Sequence, residues 1–397
     1  MKRIHILYNC YWGNGMSGGD RRLIEILRIW QCNKLLDIYL YTTKDFANLL
    51  RAENIGISKI FFTDSRKKHN IIISYFARQK ICINRLFKNL QVGDTIYSPT
   101  DIMPDVIPAV KAKKKYKDNI KWMPITHHII ESFIKRPGNK ISNFFSEYQQ
   151  KYTMLLEKKY ADRLLTPSPI VEEYYMSHGY NKSIIRRIGE NVDVKKIEAI
   201  PKKNETVEYD ACFLARLNYS KGIMELPVIW ANVVKEIPDA KLMIIGKGKE
   251  EIVNELQGLI IKHNVQDNII LGGFMSDEEA FSIMKSAKVF LFTSHEEGFG
   301  LSVAEAMLCN LPVVAYNLPV FEKVFKKGIC LCKYLDTTEM ANQVIKLLKN
   351  DDRRTQIGNE GHHFISSNYD LDVFAKRELE IILEAVDLRD EKSKFEA

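Results

Sequence analysis

Residues 289–315, VFLFTSHEEGFGLSVAEAMLCNLPVVA, decide the fold. The apolar run 289–292 predicts a buried strand, and the run 312–315 predicts a second one. Between them lie a polar loop with Gly298 and Gly300 and a segment, 302–310, whose apolar residues recur at helical spacing. Strand, glycine loop, helix and strand in this order make one βαβ unit of a parallel sheet.

Two carboxylates flank the predicted start of this helix. Glu297 lies in the loop, and Glu305 lies eight positions later, one turn into the helix. The free N–H groups and the positive dipole end of a helix N-terminus suit a phosphate. One acid for sugar hydroxyls and one for a ribose would then suit a sugar nucleotide. The simpler interpretation is a common glycine loop with two solvated glutamates, and the residues alone leave both open.

The stretch EGFGLSVAE resembles the signature of retaining glycosyltransferases of family 4, which consists of a Glu, Gly-Phe-Gly and a second Glu eight residues after the first. The Leu-Pro-Val-Val-Ala of residues 311–315 usually accompanies this signature. Enzymes of this family have the GT-B fold, in which two Rossmann-like domains face each other across a cleft. A C-terminal helix crosses back to the first domain. The resemblance implies this α/β architecture for the chain.

Length and composition indicate a two-domain globular protein. A chain of 397 residues exceeds one ordinary core. No apolar run approaches the roughly 20 residues that a membrane span needs. Met1-Lys2-Arg3 leads directly into a predicted strand, without the apolar region of a signal peptide. The seven cysteines have no repeated metal-ligand spacing and are expected to be reduced thiols of a cytosolic protein.

Charge is unevenly distributed between the two halves. Residues 1–200 contain 34 Lys and Arg against 19 Asp and Glu, and the remainder contains 24 against 31. The first half therefore carries +15 and the second −7, which sum to the net +8 of the chain. A basic first half suggests an anionic partner for the first domain. Nucleic acid, an anionic membrane face and a phosphate-bearing acceptor all fit this charge.

Strand and helix patterns alternate along both halves. This rhythm is typical of parallel, doubly wound sheets, so two Rossmann-like domains follow without the resemblance. We expect the first domain at 1–200, the second at 201–370, and at 371–397 the helix that the GT-B fold returns to the first domain. The linker is expected near 199–206. The predicted strands are 4–8, 38–41, 59–62, 95–98, 121–126, 164–167, 209–214, 241–245, 268–271, 289–292, 312–315 and 329–331.

A glycine-rich segment, Gly13-Asn14-Gly15-Met16-Ser17-Gly18, follows the first predicted strand and matches the dinucleotide-binding pattern GxGxxG. A dinucleotide-binding site also requires an acidic residue at the end of the second strand. Here that strand ends Tyr39-Leu40-Tyr41-Thr42, without an acid. The pair Gly18-Gly19 resembles instead the glycines that family 4 enzymes place opposite the donor phosphates. Either interpretation uses glycine because a close phosphate leaves no room for a Cβ.

A histidine closes the predicted strand at 121–126. Strand ends of open parallel sheets border the ligand crevice, so His127 is well placed for chemistry, although a core or surface histidine is the simpler interpretation. The resemblance favours His127, because family members carry a histidine near the donor sugar at this position. The following loop, 129–138, combines apolar and cationic residues and is predicted to receive a lipid-linked acceptor.

The first strand of the second half ends at an Arg and a Lys. Arg216 and Lys221 lie five positions apart and flank a turn, where they can grip a diphosphate from two sides. In isolation they are two surface cations, but Arg-Leu followed by Lys-Gly resembles the diphosphate clamp of the family. The stretch Gly273-Phe274-Met275 corresponds to its nucleobase-contacting loop.

Two further stretches are basic. Residues 71–91 have apolar residues at helical spacing with four interspersed cations, which fits a membrane-surface helix or, more commonly, a helix packed on its own sheet. Residues 111–117, KAKKKYK, predict a basic surface patch on a solvated loop. The patch is a hypothetical phosphate contact.

The resemblance implies a role for each site residue and no essential metal or other cofactor. The partners are a nucleotide-diphosphate sugar as co-substrate, a glycan or lipid-linked acceptor, and an anionic membrane surface at the basic domain, with no nucleic acid. The expected location is cytoplasmic, peripheral at the inner face of the membrane. The implied residues are Glu297 and His127 for catalysis, Arg216, Lys221, Gly18, Gly19, Gly300 and Leu301 for the diphosphate, Glu305 for the ribose, Glu297, Gly298 and Phe299 for the sugar, and Gly273, Phe274 and Met275 for the base.

Three other functions remain open at this point. One is a non-catalytic member that binds a sugar nucleotide and scaffolds glycan assembly. Another is a different two-domain enzyme, such as a sugar-nucleotide epimerase or a phosphorylase. A nucleic-acid-binding role for the basic half is the third. Donor consumption without an acceptor would indicate an epimerase, and measurable sugar transfer would exclude the scaffold.

Overall fold

The computed structural model describes residues 1–11, 13, 17–32, 35–64, 71–136, 138–202 and 209–395, with the backbone alone for 71, 72 and 385–395. Two compact units make up the chain. The first consists of Met1–Phe133, Ile141–Glu190 and Asp372–Ala397, and the second of Ile134–Lys140 and Asn191–Leu371. Each unit is an α/β domain with its own parallel sheet.

The strands form three sheets. The first unit has a five-stranded sheet and a two-stranded one, and the second unit has a six-stranded sheet. All registered pairs are parallel, as expected for strands that alternate with helices. The strands are β1 (Lys2–Tyr8), β2 (Leu36–Thr42), β3 (Lys59–Phe62), β4 (Thr95–Ser98), β5 (Lys121–Pro124), β6 (Leu164–Thr166), β7 (Ile185–Arg187), β8 (Tyr209–Leu214), β9 (Leu242–Ile245), β10 (Ile269–Gly273), β11 (Ala287–Phe292), β12 (Val313–Tyr316) and β13 (Ile329–Cys332).

The helices connect these strands and cover the sheets. They are α1 (Gly18–Cys32), α2 (Lys44–Ala52), α3 (Ile71–Asn89), α4 (Met103–Tyr116), α5 (Lys140–Tyr160), α6 (Pro169–Ser177), α7 (Val194–Ala199), α8 (Leu226–Glu236), α9 (Glu250–Lys262), α10 (Asp277–Met284), α11 (Leu301–Leu308), α12 (Pro319–Val324), α13 (Thr337–Leu348), α14 (Asp351–Asn368) and α15 (Leu371–Phe395).

Strand order is that of Rossmann-like domains in both large sheets. The first sheet runs β3-β2-β1-β4-β5, and the second runs β10-β9-β8-β11-β12-β13. In each, the order reverses beside the first strand of the unit, between β1 and β4 and between β8 and β11. This reversal is the topological switch point at which doubly wound sheets bind their ligands.

The stretch 289–315 forms the βαβ unit that its pattern predicts, with β11, α11 and β12 in sequence. Residues 289–292 and 313–316 are each at most 2% exposed. Strands buried on both faces read as continuous apolar runs, because helices cover the two sides of a parallel sheet. The predicted parallel α/β fold with two Rossmann-like domains is thus confirmed.

The C-terminal helix α15 belongs to the first unit from Asp372 onward. Its Glu378 is fully buried and accepts a hydrogen bond from the guanidinium of Arg22 on α1, with Nη2 and Oε2 2.5 Å apart. The hydroxyl of Tyr97 on β4 donates to the same carboxylate. Glu190 adds a second acid 3.9 Å from Nε of Arg22. A buried charge without a partner of opposite charge is strongly destabilising, so the cluster fixes the helix in one register on α1 and β4.

The structure differs from the sequence predictions in three elements. The short strand β7 was not predicted; it pairs with β6 through only three residues. In α3 the side chains of Cys82 and Leu86 face the core, whereas Phe76, predicted on the apolar face, is 60% exposed. The linker predicted near 199–206 lies partly outside the described residues.

The basic stretch 111–117 is a helix end rather than a solvated loop. It continues α4 to Tyr116, and Lys113 is buried. The ammonium of Lys113 lies 2.9 Å from the carboxylate of Asp162 and donates to the carbonyl of Lys117. Cations in a last helical turn satisfy free carbonyls and the dipole, so part of this charge is structural.

Candidate functional site

The second unit gathers most of the predicted site residues at its topological switch point. Strands β8 and β11 are neighbours, and the loops that follow them carry Arg216, Lys221 and Glu297. Because the strands are parallel, both loops leave the same edge of the sheet. Ligands of open α/β sheets bind at this edge, outside the carboxyl ends of the strands.

The loop after β8 presents two cations. Arg216 is exposed and has no ion-pair partner among the residues that the structure describes. Lys221 closes a short 3₁₀ turn, Tyr219–Lys221, which the side chain of Asn218 caps by accepting from the amide of Lys221. The turn ends at Gly222 with φ of +64°, and a Cβ there would lie 1.9 Å from the carbonyl oxygen of Thr293. Only glycine fits this turn against the loop that follows β11.

Lys221 and Glu297 form an ion pair between the two loops. Nζ of Lys221 lies 2.5 Å from Oε1 of Glu297, and the side chains are 19% and 12% exposed. A partly buried pair attracts more strongly than an exposed one, since less water screens it. The structure thus brings the predicted phosphate cation and the predicted sugar acid together.

Further hydrogen bonds tie the same loops to each other. The amide of His295 donates to the carbonyl of Ser220 at 2.8 Å, and the hydroxyl of Thr293 donates to the carbonyl of Lys221 at 3.0 Å. His295 Nε2 lies 3.0 Å from Oε1 of Glu225. These bonds hold the backbone around Lys221 before any ligand binds, which is the preorganisation that binding and catalysis use.

Helix α11 begins at the far end of the glycine loop. Its N-cap is Gly300, with φ of +100°, and a Cβ at this position would lie 2.8 Å from the ring of Phe321. The first two amides of the helix, at Leu301 and Ser302, have no carbonyl four residues earlier in the helix to bond, so they can receive an anion, whereas the amide of Val303 donates to the carbonyl of Gly300. Glu305, on the second turn, is 3% exposed.

Phe299, predicted to contact the sugar, has its side chain in the core. It is 5% exposed, and its ring lies 5.4 Å from that of Phe325 and 5.2 Å from that of Tyr369. Only its backbone remains for a ligand. The ring instead anchors the loop that carries Glu297 and Gly298.

The predicted base-contacting residues begin with Gly273, the last residue of β10, and continue directly after this strand, which lies two strands away from β8 in the sheet. Gly273 has φ of +69° with open space around its Cα, and Phe274 is 70% exposed. Met275 packs toward Gly272. An exposed aromatic ring can stack on a planar base, but no contact joins these residues to the Lys221–Glu297 pair in the part of the chain that the structure describes.

The first unit brings three other predicted residues together. Gly18 and Gly19 begin α1, and a Cβ on Gly19 would lie 3.7 Å from Nε2 of His127. His127 lies three residues after the end of β5, which is the neighbour of β4 at the first strand-order reversal. Of the glycine pattern at 13–18, residues 14–16 lie outside the described residues.

His127 is a neutral imidazole. Its Nε2 lies 2.9 Å from the carbonyl oxygen of Pro99, which can only accept, so Nε2 carries the proton and Nδ1 is an acceptor. Burial, followed by the positive charge of Arg22, lowers the pKa of His127 to about 3. The ring therefore offers a hydrogen-bond acceptor at neutral pH rather than a positive charge.

Helix α5 holds the segment around His127, a role that the sequence did not reveal. Gln150 accepts from the amide of Ile130 at 2.7 Å and donates to the carbonyl of His128 at 2.8 Å. Glu157 accepts from the hydroxyl of Thr126 at 3.2 Å. The sequence feature that could have predicted this role is the spacing of polar residues at 149, 150, 153 and 157, which share one helical face.

Comparison with known proteins adds to this geometry. Residues 194–364 match the family model described as Glycosyl transferases group 1, a stretch that covers less than half of the chain. The uncharacterized glycosyltransferase MJ1059 of Methanocaldococcus jannaschii is 25% identical over 313 residues, which cover 76% of this chain and 75% of that protein. The alpha-monoglucosyldiacylglycerol synthase of Streptococcus pneumoniae is 25% identical over 57% of this chain and 52% of that enzyme.

Among solved structures, the HepE protein of Anabaena, in complex with UDP-glucose, superposes with a TM-score of 0.77. The superposition covers 97% of this chain and 100% of HepE at 16% identity, a likeness that concerns the fold. Together, these similarities support a glycosyltransferase enzyme with the GT-B fold. The glycosyltransferase group 1 match spans β8, β11 and α11, so it includes every predicted donor residue of the second unit.

Proposed function

We propose that this protein is a retaining glycosyltransferase that moves a sugar from a nucleotide-diphosphate sugar to a glycan or lipid-linked acceptor. The observation that carries the proposal is the Lys221–Glu297 pair at the switch point of the second unit. A cation for phosphate and an acid for sugar hydroxyls stand side by side there, next to the N-terminus of α11. The group 1 match and the fold shared with HepE support it.

The second unit would bind the donor through charge. Arg216, Lys221 and the amides that begin α11 neutralise the diphosphate, which gains negative charge as the sugar leaves. The Glu305 carboxylate accepts hydrogen bonds from both ribose hydroxyls. Glu297 does the same for hydroxyls of the donor sugar. In this proposal the two cationic side chains and the amides of α11 supply the stabilisation that other transferases take from a bound metal, and no cofactor is needed.

The first unit would contribute His127 and the two glycines. The resemblance implies a histidine near the donor sugar and glycines opposite the phosphates, so we propose that Nδ1 of His127 accepts a hydrogen bond from the sugar and that Gly18 and Gly19 lie against the phosphates. A Cβ added to Gly19 would lie 3.7 Å from Nε2 of His127, and this proximity supports a common role. The neutral state of the ring fits an acceptor of a sugar hydroxyl.

Retention would follow from attack on the face that the diphosphate leaves. The acceptor oxygen bonds to the anomeric carbon while the bond from that carbon to the phosphate oxygen breaks. The bonding electron pair goes to the diphosphate, which takes the proton of the acceptor hydroxyl. No carboxylate is assigned as a nucleophile in this scheme, so Glu297 acts by binding.

We further propose that the enzyme works at an anionic membrane face. Helix α5 has its polar side inward and its apolar side outward. Gln149, Gln150 and Glu157 are buried, whereas Phe144, Tyr148, Tyr152 and Leu155 are 41–64% exposed along one helical stripe. An exposed aromatic stripe of this kind marks an interaction surface, because water disfavours it.

The charges beside the stripe favour anionic lipid. Exposed cations on α5 and on α3 are Lys140, Lys151, Lys158, Lys159, Lys80, Arg85 and Lys88. Helix α3 contains no acid, and on α5 Glu157 is buried and Glu147 is paired with Lys151. The two helices meet where the rings of Tyr75 and Phe145 lie 6.2 Å apart. No described helix is long and apolar enough to cross a membrane.

A transfer assay with a panel of nucleotide sugars tests the activity. Uridine, guanosine, adenosine and cytidine diphosphate sugars are incubated with the enzyme and with sugar, glycerolipid or lipid-linked acceptors, with and without a chelator. We expect one donor to give an α-linked product from an α-linked donor, read as the anomeric coupling constant by NMR, unaffected by the chelator. An inverted product would refute retention. Donor epimerisation without any acceptor would favour the epimerase instead.

A further inference from the structure

Residues Ile134–Lys140 form a strap, so named here, that belongs to the second unit although the chain on both sides of it belongs to the first. It leaves the segment that follows His127 and returns into α5. The lysine at its end closes it, since Nζ of Lys140 donates to the carbonyls of Ile134 and Arg136, each at 2.8 Å. An ion pair and one close approach relate the strap to the loops of the second unit.

The first contact is a two-pronged ion pair. The guanidinium of Arg136 donates to the carboxylate of Glu296 through Nε, at 2.9 Å, and through Nη2, at 2.5 Å. The side chains are 17% and 15% exposed. Paired bonds between a planar guanidinium and a carboxylate fix orientation as well as distance, and a partly buried pair of this geometry exceeds an ordinary surface ion pair in strength.

The strap also lies beside the loop that follows β8. Gly138 has φ of +89°, and a Cβ there would lie 3.4 Å from the ring of Tyr219. Tyr219 precedes Lys221 by two residues in the same 3₁₀ turn. The strap thus lies beside the loop after β8 at Gly138 and is bonded to the loop after β11 through Arg136.

Charge gives these contacts a consequence for donor binding. Glu296 and Glu297 are adjacent acids in a loop proposed to bind a diphosphate, and each has a cation, Arg136 for the first and Lys221 for the second. Without Arg136, an unpaired and partly buried carboxylate would stand one residue from Glu297. Its charge would oppose the diphosphate and compete for Lys221.

We propose that Arg136 is a positioning residue that neutralises Glu296 and so keeps the Lys221–Glu297 loops competent for the donor diphosphate. The inference rests on the proposed donor site. Arg136 acts through Glu296 and not by touching the donor, which distinguishes it from Arg216 and Lys221. The strap is then a further determinant of donor affinity that comes from outside the 194–364 match.

Four variants separate this role from a direct contact and from a purely structural one. They are Arg136→Ala, Glu296→Gln, the double variant with both changes, and Lys349→Ala as a control. Lys349 forms an exposed ion pair with Glu236, 2.9 Å long, in the same unit. Binding of inorganic pyrophosphate and of the four nucleoside diphosphates is measured by calorimetry, with melting temperatures recorded for each variant.

We expect Arg136→Ala to weaken nucleoside diphosphate binding at least tenfold, Glu296→Gln to leave it unchanged or tighter, and the double variant to return within about threefold of the parent. Lys349→Ala should bind like the parent. The proposal is overturned if Arg136→Ala binds as the parent does, or if the double variant stays as weak as Arg136→Ala, which would indicate a direct contact. A parent protein that binds neither pyrophosphate nor any nucleotide would refute the donor site itself, and the inference with it.

Discussion

Lys221 and Glu297 meet with Nζ and Oε1 2.5 Å apart, across the two loops that leave neighbouring strands of the second sheet. In the proposed complex Lys221 binds phosphate and Glu297 binds the sugar, so this ion pair must loosen as the donor enters. The ion pair therefore couples the two halves of donor recognition, which are the binding of the phosphate and the binding of the sugar.

Replacing Glu297 by Gln should separate these halves. The variant loses an anion beside the diphosphate and frees Lys221, so a nucleoside diphosphate should bind about fivefold more tightly, for a gain of about 1 kcal/mol. Sugar transfer should fall sharply, because an amide accepts hydroxyl hydrogen bonds more weakly than a carboxylate. Calorimetry of the diphosphate and a transfer assay report the two effects. Unchanged turnover in Glu297→Gln would remove this residue from the sugar site.

The outward face of α5 predicts binding to lipid. The double variant Tyr148→Glu/Tyr152→Glu should bind phosphatidylglycerol vesicles at least about tenfold less than the parent, because it removes apolar area and adds negative charge. Sedimentation with vesicles measures it, with phosphatidylcholine vesicles and added salt as comparisons. Ile261→Glu changes an apolar residue that is more exposed than either tyrosine, at 65% on α9 of the second unit, and should bind normally.

Equal vesicle binding by the double variant and the parent would exclude α5 as the membrane surface. Transfer to a soluble acceptor should be retained in the double variant. A negative result for vesicle binding would therefore leave the proposed donor site intact. A change in oligomeric state on the same substitutions would indicate a second copy of the chain as the partner instead.

Glu378 should be essential for the stability of the first unit. Glu378→Ala leaves the buried guanidinium of Arg22 without its closest partner, a loss of the kind that costs about 3–5 kcal/mol. Urea unfolding measures the change in the free energy of unfolding. Glu380 lies on the same helix and is exposed, so Glu380→Ala should stay within about 0.5 kcal/mol of the parent. If the two variants were equally stable, the buried cluster would not hold α15.

The contribution of Asp105 to stability should fall as pH rises from about 4 to 7. Burial raises the pKa of Asp105 to about 7, against hydrogen bonds from Thr100 and Asn9 that lower it. Between its unfolded pKa of about 4 and its folded pKa, the folded chain holds a proton that the unfolded chain has lost, so rising pH favours unfolding. Over this range the urea midpoint of the parent should fall relative to that of Asp105→Asn. The same slope in both proteins would contradict this origin.

The sequence predicted the elements better than their side-chain contacts. Continuous apolar runs at 289–292 and 312–315 are typical of parallel strands that are covered on both faces, and these strands are present. The approach of Lys221 to Glu297 depends on the order of strands in the sheet, which periodicity does not specify. The ring of Phe299 matched a binding signature but packs with Phe325 and Tyr369, since a loop next to a core uses its aromatic residue for packing.

Two other features could not be predicted from the sequence, for related reasons. Helix α5 faces its polar residues inward, where they bond to the 126–130 segment, so its amphipathic pattern has the opposite meaning from that of an ordinary surface helix. The Arg136–Glu296 pair joins residues 160 positions apart through the strap, and no local pattern announces it.

Donor binding to Lys221→Ala and Glu305→Ala tests the central claim most directly. Calorimetry with the nucleotide diphosphate sugar that raises the melting temperature of the parent gives the dissociation constants. The account predicts a loss of donor affinity or turnover of about 100- to 1,000-fold for Lys221→Ala and of about 10- to 100-fold for Glu305→Ala, with melting temperatures close to that of the parent. Parent-like affinity and transfer in both variants would contradict the assignment of the donor site to the loops after β8 and β11.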